Sequence, residues 1–295
     1  MKYFMTIITI LFFNPIHGQY NYDDEEFTHL IVGGYRIKDS TLSKFIVSVR
    51  SGEFTISDGD NDICGGAVIS RKSVITAAHC LVDVKTNIKT PVDKMYVVAG
   101  SKQRLKSTKA TQKIYVKSSI VHPMYSSTGH IADIGILRMM KSFVFDGTTV
   151  APIPLAKVTP YPYTQCTTGG WGSVYYHGPS PDLILFADLQ ILSQSACRSL
   201  IPHYEFGMIC AKNFKAPEMD ACQGDSGGPL ICGYRLCGVV SFGYDCGDSF
   251  PSVYTDIAHY REWIIENSAT MPNYYLCKLE FIPLLLGILV QNFYD

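Results

Sequence analysis

Long apolar runs are scarce in this 295-residue chain, and their scarcity argues against a membrane-spanning helix. The runs near its two ends, residues 3 to 13 (YFMTIITILFF) and 281 to 290 (FIPLLLGILV), both fall short of the ~20 residues such a helix needs. An excess of one charge is missing too: 25 Lys and Arg face 26 Asp and Glu, so nothing demands a nucleic-acid partner. Helical periodicity is sparse, and there is no internal repeat or low-complexity tract. With 17% charged and 47% hydrophobic residues the chain is not disordered and can bury a large core.

The N-terminus has the layout of a secretory signal peptide: Lys2, the apolar stretch 3 to 13, then Ile16-His17-Gly18, with cleavage expected after Gly18. Residues 19 to 30 (QYNYDDEEFTHL) carry four consecutive acids and read as a pro-segment. Without Lys2 and those acids the balance is 24 basic to 22 acidic residues, a net charge of +2. Ten cysteines behind an export signal imply disulfides, because the export pathway is oxidising. A secreted, extracellular protein is expected.

Short apolar runs separated by Gly, Pro, Ser and Asp fill the body, among them KFIVSVR, KMYVVAG, QKIYVKSSIV, LILFADLQIL, CGVVSFG and PSVYTDI. This is the pattern of an antiparallel all-β protein, and two packed barrels suit the length better than one. The Pro-rich passage from Thr148 to Pro162 is the expected crossing between halves. One helix is expected, residues 256 to 269, with Ile257, Tyr260, Trp263 and Ile264 on one face.

Three separated strings carry chemistry: His79 in TAAHC, Asp133 in HIADIGIL and Ser226 in CQGDSGGP. Singly, each has an ordinary structural reading as a packed histidine, a capping acid or a turn serine. Together with IVGG at 31 to 34, GWG at 170 to 172, SFG at 241 to 243 and VYTDI, they resemble the chymotrypsin/trypsin family of serine proteases over about residues 31 to 267. That resemblance implies two six-stranded antiparallel β-barrels with the active site between them and a C-terminal helix. It makes residues 31–269 the protease domain and implies no cofactor. His79 would be the general base, Asp133 its orienter, Ser226 the nucleophile and Ser241 a further donor to Asp133. The N–H groups of Gly224 and Ser226 would form the oxyanion hole. Inactive relatives that serve as binding proteins usually lose the histidine or serine, and this chain keeps both.

The resemblance also explains why IVGG lies inside the chain. Cleavage between Leu30 and Ile31 would free an α-amine that enters the body and pairs with Asp225, shaping the oxyanion loop. Most trypsin-like precursors have Arg or Lys before that bond. Leu30 therefore predicts an activator that prefers large apolar residues, and no self-activation. The implied partners are protein or peptide substrates, that activating protease and protein inhibitors.

Asp220, six residues before Ser226, matches the position whose carboxylate binds Arg or Lys in trypsins. Phe242 and Gly243 line the implied pocket, whose mouth Gly243 leaves open. Ser252 stands where trypsins usually carry glycine and narrows it. Ala221 lacks the hydroxyl many trypsins offer to a lysine ammonium, whereas guanidinium pairs bidentately without it, so Arg is expected over Lys. Between Gly100 and Asp133 lie Lys102, Arg104, Lys106, Lys109, Lys113 and Lys117 but no acid, so the calcium loop of some trypsins is not expected and no metal is assigned. That run reads as a solvated face, with polyanion binding the weaker alternative.

The family pattern implies four disulfides: Cys64–Cys80, Cys166–Cys232, Cys197–Cys210 and Cys222–Cys246. Cys237 and Cys277 remain, either paired with each other, or with Cys237 free or bonded to another chain. Residues 270–295 exceed the family core. They dock on the body, form a flexible end, or signal a lipid anchor after Asn267-Ser268-Ala269. Anchor processing would delete Cys277, which counts against membrane association.

Overall fold

The computed structural model describes residues 34–36, 41–52, 59–83, 86, 88–244, 246–247 and 250–268. The first half supplies β1 (Ile46–Arg50), β2 (Asp62–Ser70), β3 (Ser73–Thr76), the small ribbon β4 (Val82–Asp83) with β5 (Ile88–Lys89), then β6 (Tyr96–Ala99), β7 (Gln112–Val121) and β8 (Gly135–Met139). Six of these close into a barrel in the order β1-β2-β3-β8-β7-β6. In β7 the exposed Lys113, Tyr115 and Lys117 alternate with buried Ile114 and Val116, the period of two that a barrel wall imposes. β1 and β3 are buried throughout, their polar Ser48, Arg50, Ser73 and Thr76 included.

The second half supplies β9 (Gln165–Gly170), β10 (Leu185–Ile191), β11 (Met208–Lys212), β12 (Pro229–Cys232), β13 (Arg235–Phe242) and β14 (Ser252–Asp256). They close as β10-β11-β14-β13-β12-β9, every pairing antiparallel. Closure leaves no edge strand in either barrel to invite a foreign strand. The passage from Thr148 to Pro162 lies between β8 and β9, where the crossing was expected.

Two helices come from the second half of the chain, one beside β11 and the other against the first barrel, where Arg138 donates to Asn267 O and His122 meets Tyr260 and Trp263. α1 (Gln194–Leu200) escaped the sequence reading; Ser193 caps it, accepting from the Ala196 N–H at 3.2 Å. The C-terminal helix α2 (Arg261–Asn267) is shorter than the expected 256 to 269. Asp256 instead ends β14, where its N–H bonds Gly207 O at 2.8 Å and it pairs with Gly238, so the ladder outcompetes the helix. Ile257, Tyr260 and Ile264 are still buried, as the apolar face requires. They join one large core cluster that runs from Val47, Val68 and Ile136 of the first barrel to Ile231, Leu236 and Val239 of the second.

Candidate active site

His79 sits in a 3-10 turn, Ala78–Cys80, directly after β3, and the Cys64–Cys80 disulfide ties that turn to β2. Asp133 lies just before β8. Its neighbours His130 and Ala132 have φ of +52° and +49°, a region few non-glycine residues occupy, and the backbone there turns the carboxylate inward. Asp133 is fully buried. Its Oδ2 accepts from His79 Nδ1 at 2.7 Å and from Ser241 Oγ at 2.6 Å, and its Oδ1 accepts from the His79 backbone N–H at 2.9 Å. Thr255 Oγ1 donates to the Asp133 carbonyl at 2.7 Å, so β13 and β14 of the second barrel grip an acid of the first. Burial alone would raise the Asp133 carboxyl. The neighbouring imidazoles of His130 and His79 and the Ser241 hydroxyl outweigh it and hold the group well below the usual carboxylate range.

Ser226 lies on the turn before β12, and its carbonyl accepts from the Gly65 N–H of the first barrel at 2.8 Å. Gly227 must be glycine: its φ is +81°, and a Cβ there would stand 2.1 Å from Thr76 Oγ1. Gly224 has φ +101°, again a conformation side chains resist. Among the described residues no acceptor takes the N–H of Gly224 or Ser226. His79 and Ser226 line one cleft of about 280 Å³ together with Ala221, Ser241, Phe242, Gly243 and Ser252.

Two further carboxylates are buried beside this cleft. Asp220 accepts from the Ala221 N–H at 2.8 Å; burial pushes its carboxyl up to about 7, against the opposing pull of the Ser252 hydroxyl, the Ala221 N–H and Lys212. Asp225 accepts from the N–H of Gly172 at 2.8 Å and of Cys222 at 3.0 Å. Burial raises it to about 6, those two bonds offsetting only part of the cost. The Cys222–Cys246 disulfide braces the same wall.

A search against protein-family models matches residues 31–264 to the family described as Trypsin. The chain is a trypsin-family serine endopeptidase. The protease is 36% identical to trypsin epsilon of Drosophila erecta over 246 residues, covering 79% of this chain and 86% of the relative. It is 34% identical to the anionic trypsin of Canis lupus familiaris over 239 residues, covering 79% and 87%. A solved structure of neuropsin, a serine protease expressed in the limbic system of mouse brain, superposes with a TM-score of 0.68 at 31% identity, covering 79% of this chain and 97% of that one.

Disulfides join Cys64–Cys80, Cys166–Cys232, Cys197–Cys210 and Cys222–Cys246 in the protease. Cys237 is a buried free thiol, pushed up to about 11 chiefly by that burial. Cys277, Leu30, Ile31 and residues 270–295 lie outside the described residues, as do the signal and pro-segments. Among the described residues no helix is long and apolar enough to cross a membrane. Tyr176, Gln223, Tyr244 and His130 also line the cleft, and the sequence reading missed all four. Tyr176 and Tyr244 belong to no short motif, and Gln223 lies within CQGDSGGP without having been singled out. His130 had a faint signal, standing three residues before Asp133, but a histidine at that distance from an acid is common.

Proposed function

We propose that the protease is secreted as a precursor, is cut between Leu30 and Ile31, and then hydrolyses peptide bonds after arginine, and less readily lysine. The observation that carries this reading is the cleft itself. His79, fixed through Nδ1 to a buried carboxylate, and Ser226 share its lining, and the buried Asp220 stands next to Ala221 on its wall.

The steps follow from the bonds. Because Asp133 accepts from Nδ1, the His79 proton sits there and Nε2 is free to take the Ser226 Oγ proton. Ser226 Oγ then attacks the scissile carbonyl, and the imidazolium that forms is stabilised by Asp133. His79 returns the proton to the departing amine, and a water activated by the same nitrogen hydrolyses the acyl-enzyme. The N–H groups of Gly224 and Ser226 meet the oxyanion, each worth ~10²–10³ in rate.

Asp220 sets the bond. A buried carboxylate held by one N–H and one hydroxyl is undersatisfied, and a guanidinium entering from the cleft supplies the missing charge and two donors. Ala221 offers no oxygen to an ammonium, which favours arginine. Latency rests on Asp225, whose carboxylate has two N–H partners and no cation among the described residues. The α-amine freed at Ile31 is the cation that would complete it.

The test is to release Ile31 in a recombinant chain and compare cleavage of matched Arg, Lys, Phe and Ala reporter peptides. Arg first and Lys second is the expected order. Turnover of the Phe peptide alone would mean a chymotrypsin-like pocket, and no turnover at all would mean an inactive homologue.

A further inference from the structure

His130 lines the cleft and takes no part in the proton transfers proposed between Ser226, His79 and the leaving amine. It stacks on Phe242 with ring centroids 5.0 Å apart and 24° between planes, and meets His79 edge-on at 5.7 Å. This stacking aims its Nδ1 at Asp133 Oδ2, 3.6 Å away, too far for a good hydrogen bond. That Nδ1 is buried and has no hydrogen-bond partner. An orphaned buried nitrogen over a carboxylate already bonded to another imidazole calls for an occupant.

We propose that His79, His130 and Asp133 form a binding site for a zinc-like divalent cation, and that the bound ion switches the protease off. One ligand atom from each of the three lies within 4.8 Å of the other two, an arrangement of two imidazoles and one carboxylate. That donor set suits Zn²⁺, which takes nitrogen and oxygen ligands in tetrahedral sites with one position left for water. Bonds of about 2.0–2.1 Å put tetrahedral ligands about 3.3 Å apart. The His130 to Asp133 distance of 3.6 Å must therefore close by about 0.3 Å, and the His79 to Asp133 distance of 2.7 Å must open by about 0.6 Å. Both are side-chain adjustments, and His79 and His130 are partly exposed. Cys64, His79 and Cys80 also cluster, but the two cysteines are joined in a disulfide and offer no thiolate.

The consequence for activity is a change of tautomer. A cation on His79 Nδ1 takes the place of the proton there, so the neutral ring must carry its hydrogen on Nε2. Nε2 then has no lone pair for the Ser226 proton. The ion is an inhibitor rather than a resident cofactor, so the expectation of no catalytic metal is unaffected. The effect on activity rests on the reading of His79 as general base; binding does not.

Zinc chloride is the probe. Calorimetric titration of the Ile31-released Ser226→Ala chain should give one site, and the active chain should lose peptidase activity over the same micromolar range and regain it with EDTA. In His130→Leu the zinc affinity should fall by about tenfold or more, since even an outer-shell partner of a metal ligand is worth about 10–100-fold. His130→Phe, which keeps the stacking on Phe242, should behave the same way. Each variant is compared with its own zinc-free rate. Absence of binding heat in the Ser226→Ala chain, or equal zinc sensitivity in both His130 variants and the unaltered chain, would overturn the site. Binding that depends on His130 in a chain with no peptidase activity even without zinc would leave the site standing and overturn the proposed function instead.

Discussion

Asp225 makes the latency hypothesis quantitative. Its carboxyl is fully buried and raised from the ordinary 3.8 to about 6; a tenfold change in acidity corresponds to about 1.4 kcal/mol, so ionising it in the precursor costs about 3 kcal/mol. A folded value above the unfolded one means that this stability is present below pH 4 and is lost as pH rises through about 6. In the cleaved form the Ile31 ammonium should pull the Asp225 value back down, and the loss should vanish. For a chain of this size 1 kcal/mol corresponds to about 2–4 °C, so the cleaved form should melt about 6–12 °C higher than the precursor at pH 7 and nearly level with it at pH 4. Asp62 and Asp220 are also raised, each to about 7, but both forms share them and they cancel in the difference. The assay is thermal unfolding of the two forms across that pH range in a Ser226→Ala background, which prevents autolysis. Two melting curves that move in parallel with pH would refute the pairing.

Four further outcomes are expected. Ser241→Ala removes the 2.6 Å bond to Asp133 and should lower kcat about 10- to 100-fold, the value of a hydrogen bond to a charged group, with KM nearly unchanged in steady-state assays. Asp220→Ser should cost at least about 10²-fold in kcat/KM for Arg peptides by removing a buried charge partner, while Ala221→Ser should raise the Lys to Arg ratio, both read with matched reporters. Leu30→Arg should give a precursor that activates itself with a sigmoidal time course, visible as the appearance of the Ile31 terminus; a precursor that stays latent would rule out the proposed preference for basic residues.

The barrels were legible where a strand writes its burial into its own sequence, as the alternation from Lys113 to Lys117 does without any partner; the burial of Ser48 and Arg50 in β1 could not be read that way. The strings around His79, Asp133 and Ser226 were legible for a similar reason, since close packing fixes the neighbours of each. The start of α2 was not, because Asp256 could either continue a ladder or begin a helix, and only the distant Gly207 carbonyl decides. Neither was His130. What makes it matter is the stacking on Phe242, more than a hundred residues away in sequence, together with an inverted φ that no residue-type pattern announces. Asp220 and Asp225 could be located by spacing, but the depth of their burial could not.

The core cluster shared by both barrels means that neither half is an independent module. Severed at the Pro-rich crossing, the two pieces would divide that one buried cluster, Val68 and Ile136 going with one and Leu236 and Val239 with the other, and Asp133 would lose its Ser241 and Thr255 donors at once. Heat or denaturant should therefore dismantle the cleft around His79, Asp133 and Ser226 and the distant strands in a single event, with no half-molecule left intact.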